Sequence, residues 1–101
     1  MKGGISTQID EIIHVPIRLA ILAYLSTANS ADFMTLLDVT GATKGNLSAH
    51  LSKLSDAGYI RIDKEFVGKK PRTSAMLTPD GESAFDSYLR VMKAFVSDAS
   101  R

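Results

Sequence analysis

The stretch from Thr43 to Gly58, TKGNLSAHLSKLSDAG, constrains the fold more than any other, because it reads as a helix marked at both ends and split lengthwise into two unlike faces. The Thr43 hydroxyl suits an N-cap, where it accepts a hydrogen bond from an orphan amide of the first turn, and Gly58 suits the left-handed residue that closes a helix. Leu47, Leu51 and Leu54 recur at i, i+4 and i+7 and make one narrow apolar stripe, continued by Ala57. At about 100° per residue, Gly45, Asn46, Ser48, Ala49, Ser52, Lys53 and Asp56 point away from that stripe, and all are small, polar or charged. Gly45 and the serines lower helix propensity by a few tenths of a kcal/mol or more each, roughly, so the leucines must anchor the helix to a core. A helix kept despite poor propensity is expected to serve something on its outer face.

At 101 residues the chain reads as one domain, with room for one core and none for a separate effector or catalytic domain. Function is therefore expected on the domain's own surface. A hydrophobic fraction of 45% beside 23% charged residues is that of an ordinary globular protein. With no cysteine, disulfides, thiolate metal sites and thiol redox sensing are excluded. The opening MKGGISTQIDEII lacks the apolar run of a signal peptide, and no run approaches the roughly 18 residues of a membrane span. The expected location is cytoplasmic.

A net charge of +1 conceals a strong division along the chain. From Thr43 to Thr73, seven basic residues (Lys44, Lys53, Arg61, Lys64, Lys69, Lys70 and Arg72) face three acidic ones, a net +4, whereas the remainder carries five against eight, a net −3. Such a dipolar distribution suits a domain that meets a polyanion on one side and something else on the other.

In chain order, the residues to about Ser6 show no pattern and are expected to fray. Ile9, Ile12 and Ile13 predict a short helix, with Asp10 and Glu11 in its first turn. Pro16 breaks it and opens a second helix to about Thr27, with Ile17, Ile21, Leu22 and Leu25 inward. Asn29 and Ser30 read as a turn and cap before a third helix from about Ala31 to Val39, with Phe33, Leu36 and Leu37 inward. Thr40-Gly41-Ala42 joins it to the opening helix, so that residues 31–57 form a helix-turn-helix. After Gly58 the period becomes alternating: Ile60, Ile62 and Phe66 share one side of a strand. Val67 to Arg72 predicts an exposed hairpin loop, and Thr73 to Leu77 the returning strand, with Ala75 and Leu77 inward; the ribbon spans residues 60–77. Thr78-Pro79-Asp80 combines a cap, a proline at the first helical position and an acid at the positive end of the dipole, starting a last helix over residues 79–97.

The segments RLAILAYL, TKGNLSAHLSKLSDAGYI, GKKPRT and LTPDG resemble short prokaryotic winged helix-turn-helix transcriptional regulators related to the MarR and ArsR groups, over about Val15 to Tyr88. The fold class expected is mostly α with a small β-hairpin, α+β, with a C-terminal dimerisation helix. The resemblance implies that the helix from Lys44 to Ala57 lies in the DNA major groove. It implies that the hairpin around Lys69 to Arg72 is a wing on phosphates or the minor groove, and that the closing helix helps form a homodimer. The chain departs from metal-sensing ArsR proteins by lacking cysteines, and it is shorter than MarR proteins with their large dimerisation region and ligand pocket.

The residue chemistry agrees with these roles. Lys44, Lys53, Lys64, Lys69, Lys70 and Arg72 can neutralise phosphates, which gives affinity without sequence information. Asn46, Ser48, Ser52 and Lys53 can offer hydrogen bonds to base edges, while Gly45 and Ala49 permit close approach and Thr43 caps the helix. Phe85, Tyr88, Leu89, Met92, Phe95 and Val96 form one face of the last helix, wider than the other elements need, and are the candidate dimer contacts. His14 and His50 have no carboxylate or thiol at ligand spacing, so no metal or cofactor is expected, and Arg18 is expected to pair with an acid. No paired nucleophile and base, phosphate-cradling glycine loop or metal cluster can be assembled, so no enzyme is expected. The rival reading is a winged-helix module that binds protein rather than DNA, because a fold does not fix a function. The gathered +4 discriminates against it.

Overall fold

The computed structural model describes residues 8–99. The stretch expected to fray, to about Ser6, lies outside them. Among the described residues are four helices, α1 (Pro16–Ala28), α2 (Phe33–Thr40), α3 (Lys44–Asp56) and α4 (Pro79–Ala99), and three strands, β1 (Ser30–Asp32), β2 (Ile60–Val67) and β3 (Lys70–Leu77). The fold is a winged helix-turn-helix of the α+β class. Ile13, Ile21, Leu22, Leu25, Leu36, Leu47, Leu51, Leu54, Ile60, Phe85 and Tyr88 are all buried in one core. Each fully buried aliphatic side chain contributes about 1.5–3 kcal/mol, which offsets the weak propensity of α3.

Both predicted ends of α3 hold. The Thr43 side chain accepts from the Asn46 amide at 3.2 Å. At the other end Gly58 has φ +80°, and the amides of Gly58 and Tyr59 donate back to the carbonyls of Ser55 and Leu54 at 2.9 and 3.0 Å. This is the paired closure in which a left-handed residue satisfies the orphan carbonyls of the last turn.

Four expectations need correction. The helix predicted over Ile9 to Ile13 is a single turn, organised by Asp10, whose carboxylate accepts from the Ile12 amide at 2.9 Å while its carbonyl accepts from His14 at 2.9 Å. Ala31 does not start α2. It lies in β1, and the cap of α2 is Asp32, whose side chain accepts from the Thr35 amide at 2.8 Å, instead of Asn29 or Ser30. The ribbon is consequently a three-stranded antiparallel sheet in the order β1-β3-β2. The hairpin loop is also far tighter than six residues: Val67 pairs with Lys70, leaving Gly68 and Lys69 alone in the turn. Gly68 takes φ +66° at the first turn position, as the primed two-residue turns that match strand twist require.

The sheet register sorts the hairpin into two faces. Ile60, Ile62, Lys64 and Phe66 pair with Leu77, Ala75, Thr73 and Pro71 and share the face turned toward the helices. Burial fades along that face, from Ile60 at 3% exposed to Phe66 at 75%. Phe66 is on the predicted side but not in the core, because at about 3.3 Å per residue it lies beyond the helices. Arg61, Asp63, Glu65 and Val67 are on the opposite face with Met76, Ser74, Arg72 and Lys70.

A tight joint fixes α4 to the end of α3. The Thr78 hydroxyl donates to the Gly58 carbonyl at 2.6 Å and accepts from the Gly81 amide at 2.9 Å, so one side chain caps α4 and ties it to the closure of α3. Gly81 is buried against Tyr59. A Cβ there would stand 2.7 Å from the Tyr59 carbonyl carbon and closer still to its oxygen, so no larger residue fits without movement.

Candidate nucleic-acid interface

The face of α3 opposite its leucines is open. Lys44, Gly45, Asn46, Ser48, Ala49, Ser52 and Lys53 are all exposed, and the capping Thr43 is exposed beside them. The helical period divides this face into flanks. Ser48 and Ser52, one turn apart, lie toward the hairpin, where they line a cleft of about 180 Å³ with Phe33, Leu51, Ile62, Lys64 and Thr73. Asn46 and Lys53 lie toward the other flank, with Gly45 and Ala49 between.

That other flank is held by a contact absent from the sequence reading. Arg18 of α1 donates through Nε to Nδ1 of His50 at 3.0 Å and through Nη1 to the Ile12 carbonyl at 3.2 Å. The expected carboxylate partner of Arg18 is therefore replaced by a histidine and a backbone oxygen. To accept from Arg18, His50 must be unprotonated at Nδ1, and both burial and the neighbouring guanidinium push its pKa below the usual histidine value. His14 is likewise engaged, with Nδ1 2.8 Å from the Tyr88 hydroxyl. Among the described residues, no cluster of histidine and carboxylate side chains could hold a metal ion, and no helix is long and apolar enough to cross a membrane.

The two arginines of the hairpin share one face, and both are paired. On the face turned away from the helices, Arg61 pairs with Asp63 at 3.2 Å and Arg72 with Asp32 at 3.5 Å. Register explains the second pair: Asp32 is opposite Ser74, so Arg72, two residues along the same face, is its diagonal neighbour. Asp32 thus serves both α2 and the hairpin. Its pKa is held below the usual aspartate value first by its hydrogen bonds from Thr35, with the Arg72 charge a lesser cause. Arg72 is exposed, and a surface ion pair of this kind is weak enough to exchange for another anion. Lys44, Lys53, Lys64, Lys69 and Lys70 have no ion pair among the described residues. Uncommitted positive charge is therefore gathered on α3, on the helix-facing side of the hairpin and at its tip, while Arg90 and Lys93 of α4 also have no ion pair among the described residues.

Thr73 and Asp32 escaped the sequence reading. With the turn placed at Gly68 and Lys69, counting outward pairs Lys64 with Thr73, so the signal was available in the glycine. Asp32 gave none, because its role depends on β1 joining the sheet.

The remaining candidates, Phe85, Tyr88, Leu89, Met92, Phe95 and Val96, follow one face of α4 but meet different surroundings. Phe85 and Tyr88 are buried at 5% and 4% exposure, whereas Leu89 is 46% and Phe95 42% exposed. Met92 is half-buried and Val96 exposed.

Comparison with known proteins agrees with the fold. Over 79 residues the chain is 30% identical to an uncharacterized protein of Methanocaldococcus jannaschii, covering 78% of this chain and 86% of that one. The structure of a transcriptional regulator homologue from Pyrococcus horikoshii superposes with a TM-score of 0.83 at 27% identity, over 91% of each chain. A MarR family regulator from Silicibacter pomeroyi has the same fold, with a TM-score of 0.69 at 22% identity, over 89% of this chain and 60% of that one. Residues 17–96 match the winged helix DNA-binding domain, and this chain belongs to that family.

Proposed function

We propose that this protein is a homodimeric transcriptional regulator with a preference among duplex DNA sequences, placing α3 in the major groove and the hairpin on phosphates or the minor groove. The observation that carries the reading is the coincidence of an open, polar α3 face with five lysines that have no acidic partner, in a winged helix DNA-binding chain. In this reading Lys44, Lys64, Lys69 and Lys70 neutralise phosphates, with Arg72 joining them by exchanging Asp32 for a phosphate. Asn46 and Lys53 reach base edges, and Gly45 and Ala49 let the helix approach them. The likeness to the Pyrococcus horikoshii regulator homologue supports a role in transcription.

Dimerisation rests on the exposed apolar residues of α4. Its 21 residues make a rod of about 31 Å, and Leu89 and Phe95 lie exposed on its distal half. A two-fold axis there would bury them and set two α3 helices on one side of the duplex, where half-sites about 34 Å apart match a symmetric operator.

The test is sedimentation of wild type and Phe95→Asp, combined with gel retardation of a random-sequence duplex over a salt series. We expect a wild-type dimer at tens of micromolar and binding that weakens steeply with salt. The variant should be a folded monomer that loses tight binding. A wild type that sediments as a monomer overturns the dimer, and one that retards no duplex at low salt overturns the DNA reading.

A further inference from the structure

Ser48 and Ser52 were candidates for reading bases, and their surroundings point to a different task. Three other hydroxyls in helices bond back to the preceding turn: Ser26 to the Ala23 carbonyl, Thr27 to the Tyr24 carbonyl and Thr40 to the Leu36 carbonyl, at 2.7, 3.2 and 2.7 Å. Back-bonding is one resource of a hydroxyl on a helix, and Thr35, Ser55, Ser83, Ser87 and Ser97 do without it. Ser48 and Ser52 do not back-bond either, and among the described residues neither they nor the side chains of Lys64 and Thr73 have any hydrogen bond or ion pair. All four line the cleft of about 180 Å³ between α3 and the base of the hairpin.

We propose that this cleft seats one backbone phosphodiester of bound duplex DNA, with its deoxyribose on the apolar floor. The inference rests on the DNA-binding reading above and specifies one of its contacts. Three hydroxyl donors and one ammonium suit an anion with two unesterified oxygens, and no carboxylate lines the cleft. Phe33, Leu51 and Ile62, which line its remaining wall, offer carbon to the carbon of a sugar. A base edge would be served poorly, because hydroxyls donate and accept with equal ease and discriminate little between bases. Ser48, Ser52, Lys64 and Thr73 therefore fix the register of α3 on the duplex, and sequence preference falls to Asn46, Ala49 and Lys53.

The decisive variant is Thr73→Val, which removes the hydroxyl from a strand position while keeping its shape and β-branching. It is compared with wild type and with Ser48→Ala/Ser52→Ala on a random-sequence duplex and on a duplex selected by wild type from a random pool. Thr73→Val should weaken binding to both by a similar factor of about ten, the worth of one hydrogen bond to a charged group. The double serine variant removes two hydroxyls and should weaken binding to both duplexes by up to about a hundredfold. Lys64→Gln should lower the salt slope by about 0.9, the counterion equivalent of one phosphate. In the selected duplex, scanning with single methylphosphonates should reveal one position where neutralisation weakens wild type by a larger factor than it weakens Thr73→Val, which has already lost one of the four contacts there. Unchanged affinity of Thr73→Val overturns the seat, as does a serine variant that alters sequence preference while keeping its random-duplex affinity. Wild type that binds neither duplex instead overturns the DNA reading itself, so the two failures are distinct.

Discussion

The two halves of α4 have opposite fates, and the more apolar half is the more exposed: three apolar residues lie from Thr78 to Tyr88 and seven from Leu89 to Ala99. From Thr78 to Tyr88, the helix is tied by the Thr78 hydroxyl to Gly58 and pressed at Gly81 onto the Tyr59 carbonyl, and it buries Phe85 and Tyr88. From Leu89 on, only Val91 and Met92 are even half-buried, and every residue from Lys93 to Ala99 is exposed. The first half needs no partner because the monomer supplies one. The second half keeps the apolar period of a packed helix while leaving Leu89 and Phe95 exposed among the described residues, the feature on which the proposed dimer rests.

The largest expected effect comes from placing the same substitution on either side of this divide. Phe85→Ala removes a buried ring and should cost about 3–5 kcal/mol of stability, enough to unfold much of the protein in mild urea. Phe95→Ala removes a ring that is 42% exposed in the monomer and should change the urea midpoint little at concentrations too low for association. In the proposed dimer it should instead raise the concentration needed for association. Equal losses of monomer stability from the two variants would erase the distinction between the halves.

Next comes Gly81→Ala, which tests how closely the first half is seated. Alanine is worth about 1 kcal/mol more than glycine in a helix interior, so at an ordinary site the change would stabilise. Here the added Cβ meets the Tyr59 carbonyl, and overpacking of this kind costs about 1–3 kcal/mol. The net change in urea or thermal unfolding should be destabilising, and a rise in stability would mean that α4 can lift off the Tyr59 carbonyl cheaply.

These sites also show where the sequence was legible. Caps and periods are local, so Thr43, Gly58, Pro16 and Thr78-Pro79 located helices α1, α3 and α4 correctly from their own chemistry. β1 was illegible because three residues, Ser30, Ala31 and Asp32, carry no period and become a strand only by pairing with Met76, Ala75 and Ser74. Gly81 was illegible for the same reason: its neighbour is a carbonyl 22 residues away in the chain, at Tyr59. The lysines of the candidate interface were legible as a charge concentration, but their freedom from ion pairs was not. Arg61 and Arg72 counted equally in that sum, yet the register places them on the face with Asp63 and Asp32.

The smallest effect sharpens the comparison from the side of Tyr59, the residue on which the first half of α4 rests. Its hydroxyl donates to the Asp10 carboxylate at 2.5 Å, so it joins the N-terminal turn to the same joint. That hydrogen bond, with burial and the Asp10 charge adding to it, raises the Tyr59 pKa from 10.0 to about 12. The folded state therefore holds this proton more tightly than the unfolded state does. The resulting stabilisation is fully present below pH 10, the unfolded value, and is lost as pH rises through about 12. Tyr59→Phe keeps the ring and the backbone that faces Gly81 but removes the donor, and should cost about 0.5–1.5 kcal/mol at neutral pH. Ultraviolet titration of the phenolate band should show a tyrosine ionising near pH 12 in wild type and missing in the variant. Between pH 10 and 12, wild type should also lose stability relative to Tyr59→Phe. If the two proteins instead keep a constant difference in unfolding free energy across that interval, the Tyr59 hydroxyl is not held by Asp10, and the joint beneath α4 depends on Thr78 and Gly81 alone.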